Sequence, residues 1–327
     1  MAWCDDIQLL HSKEREQYRY YADEDYPEPD MLLKLNGVGT IPIGDITAIS
    51  GKAKSGKSYC TSTFVASVLG CKDFGLIPTK EHPKVIYFDT EQSKANIARI
   101  QRRVHRLLGW DTKTDRYELI FYVLREVQIQ DRYQFIVDIV MKEDPNAIVI
   151  DGIADLIFNF NDIAESSGII SKLLALCTQA NIALLTILHE NKSEDNTNMK
   201  GHLGTLLLQK AASVFHVSKS EDGTITVKNT DSRNKPIQDW FFKIDENGMP
   251  ISSNAPITPK EAQKIEKLRQ DMQIVFEDGE SLMKSELVEK CVSMGICKKS
   301  AAYKKIDEAI RGNIVTLDSN HYFLNST

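Results

Sequence analysis

The stretch Ile46-Thr47-Ala48-Ile49-Ser50-Gly51-Lys52-Ala53-Lys54-Ser55-Gly56-Lys57-Ser58 decides the fold. From Gly51 to Ser58 it reads G-x-x-x-x-G-K-S, a phosphate-binding loop pattern. The apolar run before it predicts a buried strand, and Tyr59 to Leu69 predicts a helix. The pattern needs that context. Glycines let backbone N–H groups close around phosphate oxygens with no Cβ in the way, and the helix N-terminus adds partial positive charge. Gly51, Lys52, Ala53, Lys54, Ser55, Gly56, Lys57, Ser58 and Tyr59 are therefore the expected ATP contacts. Lys57 would reach the β and γ phosphates and Ser58 would hold Mg²⁺.

Strand and helix patterns alternate on the C-terminal side of this loop. Val85–Asp89, Leu119–Leu124, Ala147–Asp151 and Ile182–Leu188 read as strands. Ser93–Leu108, Tyr133–Met141 and Ile169–Gln179 read as helices between them. Near-continuous apolar strands between helices predict an α/β fold with a mostly parallel sheet covered on both faces. Ligands then collect at the carboxyl ends of the strands, where Glu91, Asp151 and His189 fall. Ser213–Val217, Thr224–Lys228 and Trp240–Ile244 follow, with a hairpin turn at Glu221-Asp222-Gly223, and predict an antiparallel extension.

The ends of the chain differ from this middle. Residues 1–36 are polar and tyrosine-rich, with a short helix expected near Ile7 to Tyr21 and then an extended segment containing Pro27 and Pro29. This is either a partly disordered leader or an arm that docks on a neighbouring subunit. The ATPase-like domain is expected over residues 37–251 and a proline-containing linker over 252–260. Residues 261–327 carry their own core: helices Ala262–Phe276, Lys284–Met294 and Ser300–Arg311, then a hairpin of Ile314–Leu317 and Tyr322–Leu324. Three helices and a terminal hairpin predict a winged helix. The net charge of −6 gives no global basic field to attract nucleic acid, though a local basic surface is compatible with it. The cysteines form no C-x-x-C pair, so no zinc or dithiol redox site is expected, and a reducing cytoplasm is. No apolar run approaches membrane-spanning length, and no membrane partner is expected.

ATP hydrolysis needs a carboxylate that orients Mg²⁺ and another that activates water. Asp151, ending an apolar strand, suits the first role, and Glu91, two residues past Asp89, suits the second. The long polar loop after the fifth strand, expected from Glu190 through Gly204, brings Lys192 and Lys200, candidate contacts to a nucleic-acid backbone. Its Asn191-Lys192-Ser193-Glu194 is too far from a guanine-reading motif to predict GTP. Lys228 and Arg233 lie after a predicted strand, and an Arg so placed can reach a neighbour's γ-phosphate. Arg99, Arg102, Arg103 and Arg106 read as a solvated helix face. Lys298, Lys299, Lys304 and Lys305 cluster on the third C-terminal helix and its lead-in, where a winged helix would meet duplex DNA.

Taken in order, Gly51–Ser58, Phe88-Asp89-Thr90-Glu91, Ile148-Val149-Ile150-Asp151 and Leu188-His189-Glu190-Asn191-Lys192 resemble the RecA-like ATPases. The branch they resemble most is the RepA-type plasmid helicases and related ATPases of mobile elements, over about residues 30–250. The resemblance implies Glu91 as the water-activating residue, Asp151 as the Walker B Asp and His189 as the polar sensor. It also implies Lys228 and Arg233 as fingers acting on a neighbour's nucleotide, with Arg233-Asn234-Lys235-Pro236 matching the finger pattern. Rings, often hexamers, are implied too, with single-stranded DNA in a central channel. A replication or mobilisation helicase of a mobile element is the leading expectation. A DNA-binding adaptor that uses ATP as a switch is the alternative. A metabolic phosphoryl-transfer enzyme is a third reading, disfavoured by Glu91 and by the C-terminal domain.

Overall fold

The computed structural model of the chain describes residues 18–190, 201–233, 235–256, 259–276 and 281–325. The chain divides into two units, Met1–Lys219 with Ile225–Ser253, and Ser220–Thr224 with Asn254–Thr327. The first begins with β1 (Leu33–Leu35), β2 (Val38–Gly39), β3 (Ile46–Gly51), α1 (Lys57–Val68), β4 (Leu76–Pro78), β5 (Val85–Asp89) and α2 (Lys94–Leu107). It continues with β6 (Leu119–Val123), α3 (Ile129–Glu143), β7 (Ala147–Asp151), a 3-10 turn at Ile153–Leu156, α4 (Ile163–Ala180) and β8 (Ala183–His189). It ends with α5 (Gly201–Lys210), β9 (Ser213–Lys219), β10 (Ile225–Ser232), β11 (Trp240–Ile244) and β12 (Pro250–Ser252).

A nine-stranded sheet in the order β12-β11-β10-β9-β3-β8-β7-β5-β6 runs through this unit. β9, β3, β8, β7, β5 and β6 are parallel, and β10, β11 and β12 are antiparallel additions. Every residue of β3 is buried, because both faces of the sheet are covered. Ile49, Tyr87 and Val149 pack on one face with α1 and α2, while Ile46, Phe88 and Ile150 pack on the other with α3, α4 and α5. This is the α/β, RecA-like P-loop architecture. α1 is buried nearly all round, and its Phe64 ring lies 5.2 Å from Phe215 and 4.7 Å from Trp240. Burying one such side chain contributes ~1.5–3 kcal/mol, so these rings pin the helix that opens at the phosphate loop.

The structure departs from the sequence reading in several places. β9, expected in the antiparallel extension, pairs in parallel with β3 from Thr47↔Ser213 to Ser50↔His216, so only the strands after it are antiparallel. The ordered core starts earlier than residue 37: Leu32, Leu33 and Leu35 are buried, and β1 pairs with β2 and β4 in a small separate sheet. The expected helix near Ile7 to Tyr21 falls mostly outside the described residues, and Tyr18 to Tyr21 are not helical. The polar loop expected to run through Gly204 ends sooner, at α5, whose Leu203 and Leu207 bury against the sheet. Among the described residues, no helix is long and apolar enough to cross a membrane.

The second unit holds α6 (Pro259–Val275), β13 (Leu282–Met283), α7 (Lys284–Ser293), α8 (Lys299–Arg311), β14 (Val315–Asp318) and β15 (His321–Leu324). Its strands form an antiparallel sheet in the order β13-β15-β14. Met272, Leu287, Val288, Ile306 and Tyr322 meet in its core. α6 opens at Pro259 rather than after residue 260, since proline's fixed φ suits a first helical turn.

Candidate nucleotide-binding site

β3 delivers the chain to the loop at its carboxyl end, and the loop's geometry demands glycine. Gly51 has φ 153° and Gly56 has φ 102°. A Cβ on Gly51 would collide with the Val217 carbonyl, and one on Gly56 would stand 2.6 Å from Ile225 Cδ1. Lys57, although charged, is only 6% exposed, and its Nζ donates to the carbonyls of Gly51 at 2.6 Å and Lys52 at 2.7 Å. Burial pulls the Lys57 amine below the ordinary lysine value, and Glu190, Asp151 and Glu91 oppose that shift in this order. Ser58 follows Lys57 in the first turn of α1. Beside the loop lies a cleft of about 440 Å³, lined by Lys52, Ala53, Lys54, Ser55 and the β9 residues His216–Lys219.

β5 and β7 are neighbours in register, so Asp89 and Asp151 end side by side. They take different positions for local reasons. Asp89 is 1% exposed, and its carboxylate accepts from Glu91 N at 3.0 Å, Gln92 N at 2.6 Å and Gln92 Nε2 at 2.9 Å. That turn fixes the backbone of Glu91, whose side chain lies over Gly152 with one side still exposed. Desolvation, then the carboxylates of Asp155 and Asp89, push the Glu91 carboxyl above the ordinary glutamate value, while Lys57 opposes them. Asp151 accepts from Tyr87 OH at 2.7 Å. Burial above all, with Asp89 and Glu91, pushes its carboxyl up to about 7, against the Tyr87 hydrogen bond and Lys57. Thr90 bridges this corner, its hydroxyl lying 3.0 Å from both the Gly152 carbonyl and Asp155 Oδ2.

Lys57, Ser58, Glu91 and Asp151 thus share one end of the sheet, and His189 closes β8 in register with Gly51. Lys228 is exposed on β10, opposite His216. Arg233 sits at the other end of the sheet. It follows Ser232, which pairs with Ser213 at the start of β9, and it is bonded to the Lys210 carbonyl at 2.7 Å and lies 3.7 Å from Asp45. Lys192 and Lys200 lie outside the described residues. Lys298, Lys299 and Lys304 are exposed, but Lys305 is half-buried and ion-paired with Asp271, which takes it out of the free basic set.

Arg103 corrects the reading of its helix face as merely solvated. Its guanidinium stacks 3.7 Å above the Tyr59 ring and donates to Ser58 O at 3.3 Å and Ser62 Oγ at 3.1 Å. It therefore clasps the first turn of α1. Sequence reasoning also passed over Tyr87, Glu190 and His216. The apolar strand containing Tyr87 gave no sign that its hydroxyl reaches a carboxylate on the next strand.

Both groups implied by the motif fit the residues present. The glycine-built loop is a cradle that a Cβ would fill. Mg²⁺ binds through oxygen, commonly one or two protein ligands plus substrate phosphates and water, and Ser58 and Asp151 supply that kind of donor. Among the described residues, no group of three or more His, Cys, Asp or Glu side chains stands ready to hold a metal without such help.

A parallel sheet with a glycine loop, a buried lysine and two strand-end carboxylates at one end defines a P-loop nucleotide-binding ATPase. A family model described as an AAA domain matches residues 14–195, more than half of the chain, and the chain belongs to that family. Comparison with curated proteins gave no match.

Proposed function

We propose that the protein is a Mg²⁺-dependent ATPase acting on DNA, as a ring-forming replication or mobilisation helicase of the RepA type. Lys57 would neutralise the β and γ phosphates, and Ser58 and Asp151 would hold Mg²⁺ there. Glu91 would take the proton of the attacking water, and His189 would sense the γ-phosphate. One observation carries the DNA part. The loop after β7 presents Phe158 at 70% exposure, on the same end of the sheet as the phosphate loop. It is held out by Glu165, whose Oε2 accepts from the backbone N–H groups of Phe158 and Asn159, both at 3.0 Å. An exposed aromatic on a locked loop suits stacking on unpaired bases, worth ~1–3 kcal/mol per base. In a ring, Lys228 and Arg233 would serve a neighbour's site. Arg233 would then exchange Asp45 and the Lys210 carbonyl for phosphate.

Single-stranded DNA is expected to raise ATP turnover, and Phe158→Ala to remove that rise while leaving basal turnover intact. Turnover with and without DNA, with native mass measured alongside, checks this. Equal turnover under both conditions in a monomer would sink the reading. Strand displacement then separates unwinding from the alternative, an adaptor that uses ATP as a switch.

The second unit fits a winged helix, with α8 as the element meeting duplex DNA. Charge reversal at Lys298, Lys299 and Lys304 is expected to weaken duplex binding by residues 254–327 and to lower its salt slope by about one per lost phosphate contact. Reversal at Lys305 is expected to act through stability instead, because it breaks the pair with Asp271. Binding titrations at several salt concentrations, with thermal melts, distinguish the two. Salt-independent binding would point to a protein partner.

A further inference from the structure

Asp89 and Asp151 end neighbouring strands side by side, yet they use their oxygens differently. Asp89 accepts N–H groups on both oxygens, which closes its own turn. Asp151 instead accepts from a side chain one strand away, the Tyr87 hydroxyl, at 2.7 Å on Oδ2. The register explains the reach. Tyr87 pairs with Val149, two residues before Asp151, and alternate residues of a strand share a face. The tyrosine and the aspartate therefore follow one another on the face of the sheet that α1 covers.

Nothing in the packing asks for that hydroxyl. Tyr87 is fully buried in the apolar core, and its ring stacks on Phe121 of β6 with centroids 5.1 Å apart. A phenylalanine would fill the same space with no polar group to bury, and a buried hydroxyl costs free energy unless it is hydrogen-bonded. The bond to Asp151 satisfies it. Because the ring is clamped, the hydroxyl meets the carboxylate from a fixed direction and holds its orientation. Asp151 is one of the two donors that fit Mg²⁺ at the phosphate loop. Mg²⁺ keeps a tight octahedral geometry with several waters, whereas Ca²⁺ tolerates a carboxylate that binds through one oxygen or through both.

We propose that Tyr87 is a positioning residue of the metal site: its hydroxyl occupies one oxygen of Asp151, so that the carboxylate offers the metal the other alone, which favours Mg²⁺ over Ca²⁺. Tyr87 acts through Asp151 and touches neither nucleotide nor metal. Hydrogen-bond partners of metal-binding side chains typically govern about 10–100-fold in metal affinity. The inference rests on Asp151 being the residue that holds Mg²⁺.

The test is the binding of fluorescent ADP to the full-length protein in EDTA, in Mg²⁺ and in Ca²⁺, with a melt of each variant alongside. Tyr87→Phe removes the hydroxyl and keeps the ring on Phe121. Its ADP affinity is expected to match the wild type in EDTA, to fall about tenfold in Mg²⁺ and to fall less in Ca²⁺. A site merely loosened by the substitution would lose affinity in EDTA as well. Wild-type affinity in Mg²⁺, the same fall in all three conditions, or a fall in Mg²⁺ matched in Ca²⁺ overturns the proposal. If Tyr87→Phe does not fold, Tyr87→Leu, which also lacks the hydroxyl, is read by the same three affinities. Asp151→Asn separates the two layers of the argument. Its amide oxygen can still accept from Tyr87, but the charge is gone. Wild-type Mg²⁺ dependence in that variant removes Asp151 from the metal site, and with it the reading beneath the proposal. Lost Mg²⁺ dependence there, beside a Tyr87→Phe protein that binds as the wild type does, removes only the role of Tyr87.

Discussion

Glu91→Gln is expected to keep nucleotide affinity and to lose hydrolysis by about 10²–10⁴-fold, the span of general-base catalysis. The amide has the shape of the carboxylate but cannot take a proton. The backbone at this position is fixed independently of the side chain, because Asp89 accepts from Glu91 N and Gln92 N. The substitution should therefore leave the turn in place. The native carboxyl is also a stronger base than an ordinary glutamate, since desolvation, Asp155 and Asp89 all raise it. The lysine keeps its bonds to the Gly51 and Lys52 carbonyls, so the cradle should still close on phosphate. Single-turnover hydrolysis at saturating MgATP, beside a nucleotide titration, reads both quantities. A variant that binds ATP poorly yet hydrolyses at the wild-type rate when saturated would assign Glu91 a structural role.

Much of the architecture is legible in the sequence because its signals are local. Ile46–Ser50, Val85–Asp89 and Ala147–Asp151 are apolar runs that stop at a glycine or an aspartate, so strand and strand end are read together. α2 carries Ile97, Ile100 and Val104 on one face, and that face is the buried one. What failed depends on partners distant in the chain. A strand's own residues do not say which neighbour it takes, so the parallel pairing of β9 with β3 was missed. β1 is Leu33-Lys34-Leu35, too short for its alternation to stand out in a polar leader. α5 begins at Gly201 after an Asn-rich segment, and only the burial of Leu203 and Leu207 marks it as a helix packed on the sheet.

The candidate site divides the same way. Residues in the motif or at a strand end could be named in advance. Those that support them could not. Arg103 reads as one of four basic residues on a helix until the Tyr59 ring is found beneath it. Glu190 and His216 lie on different elements, and the sheet order β8-β3-β9 alone brings them together. Lys305 looks as free as Lys304 until Asp271 is seen on the neighbouring helix.

Lys57→Ala is expected to abolish measurable ATP binding and, with it, turnover. Hydrogen bonds to charged groups are worth about 1.5–3 kcal/mol each, so losing contacts to two phosphates weakens binding on the order of 10²-fold or more. Among the described residues, no other side chain stands in for it. Lys52 and Lys54 belong to the exposed outer part of the loop, whereas Lys57 is buried beneath it and bonded to the Gly51 and Lys52 carbonyls. The same substitution has a second consequence. Asp151 and Glu91 both act on the Lys57 charge, and Glu91 already pushes the Asp151 carboxyl up while Lys57 opposes it. Repulsion among them should lower the melting temperature of the nucleotide-free variant. The partial remedy is to remove a carboxylate as well: Lys57→Ala with Glu91→Gln should melt higher than Lys57→Ala alone, though neither should bind ATP. Melts and nucleotide titrations on the two variants separate lost binding from lost folding. Near wild-type ATP affinity in a folded Lys57→Ala protein would withdraw the phosphate-loop assignment, and the roles of Ser58, Glu91 and Asp151 would fall with it.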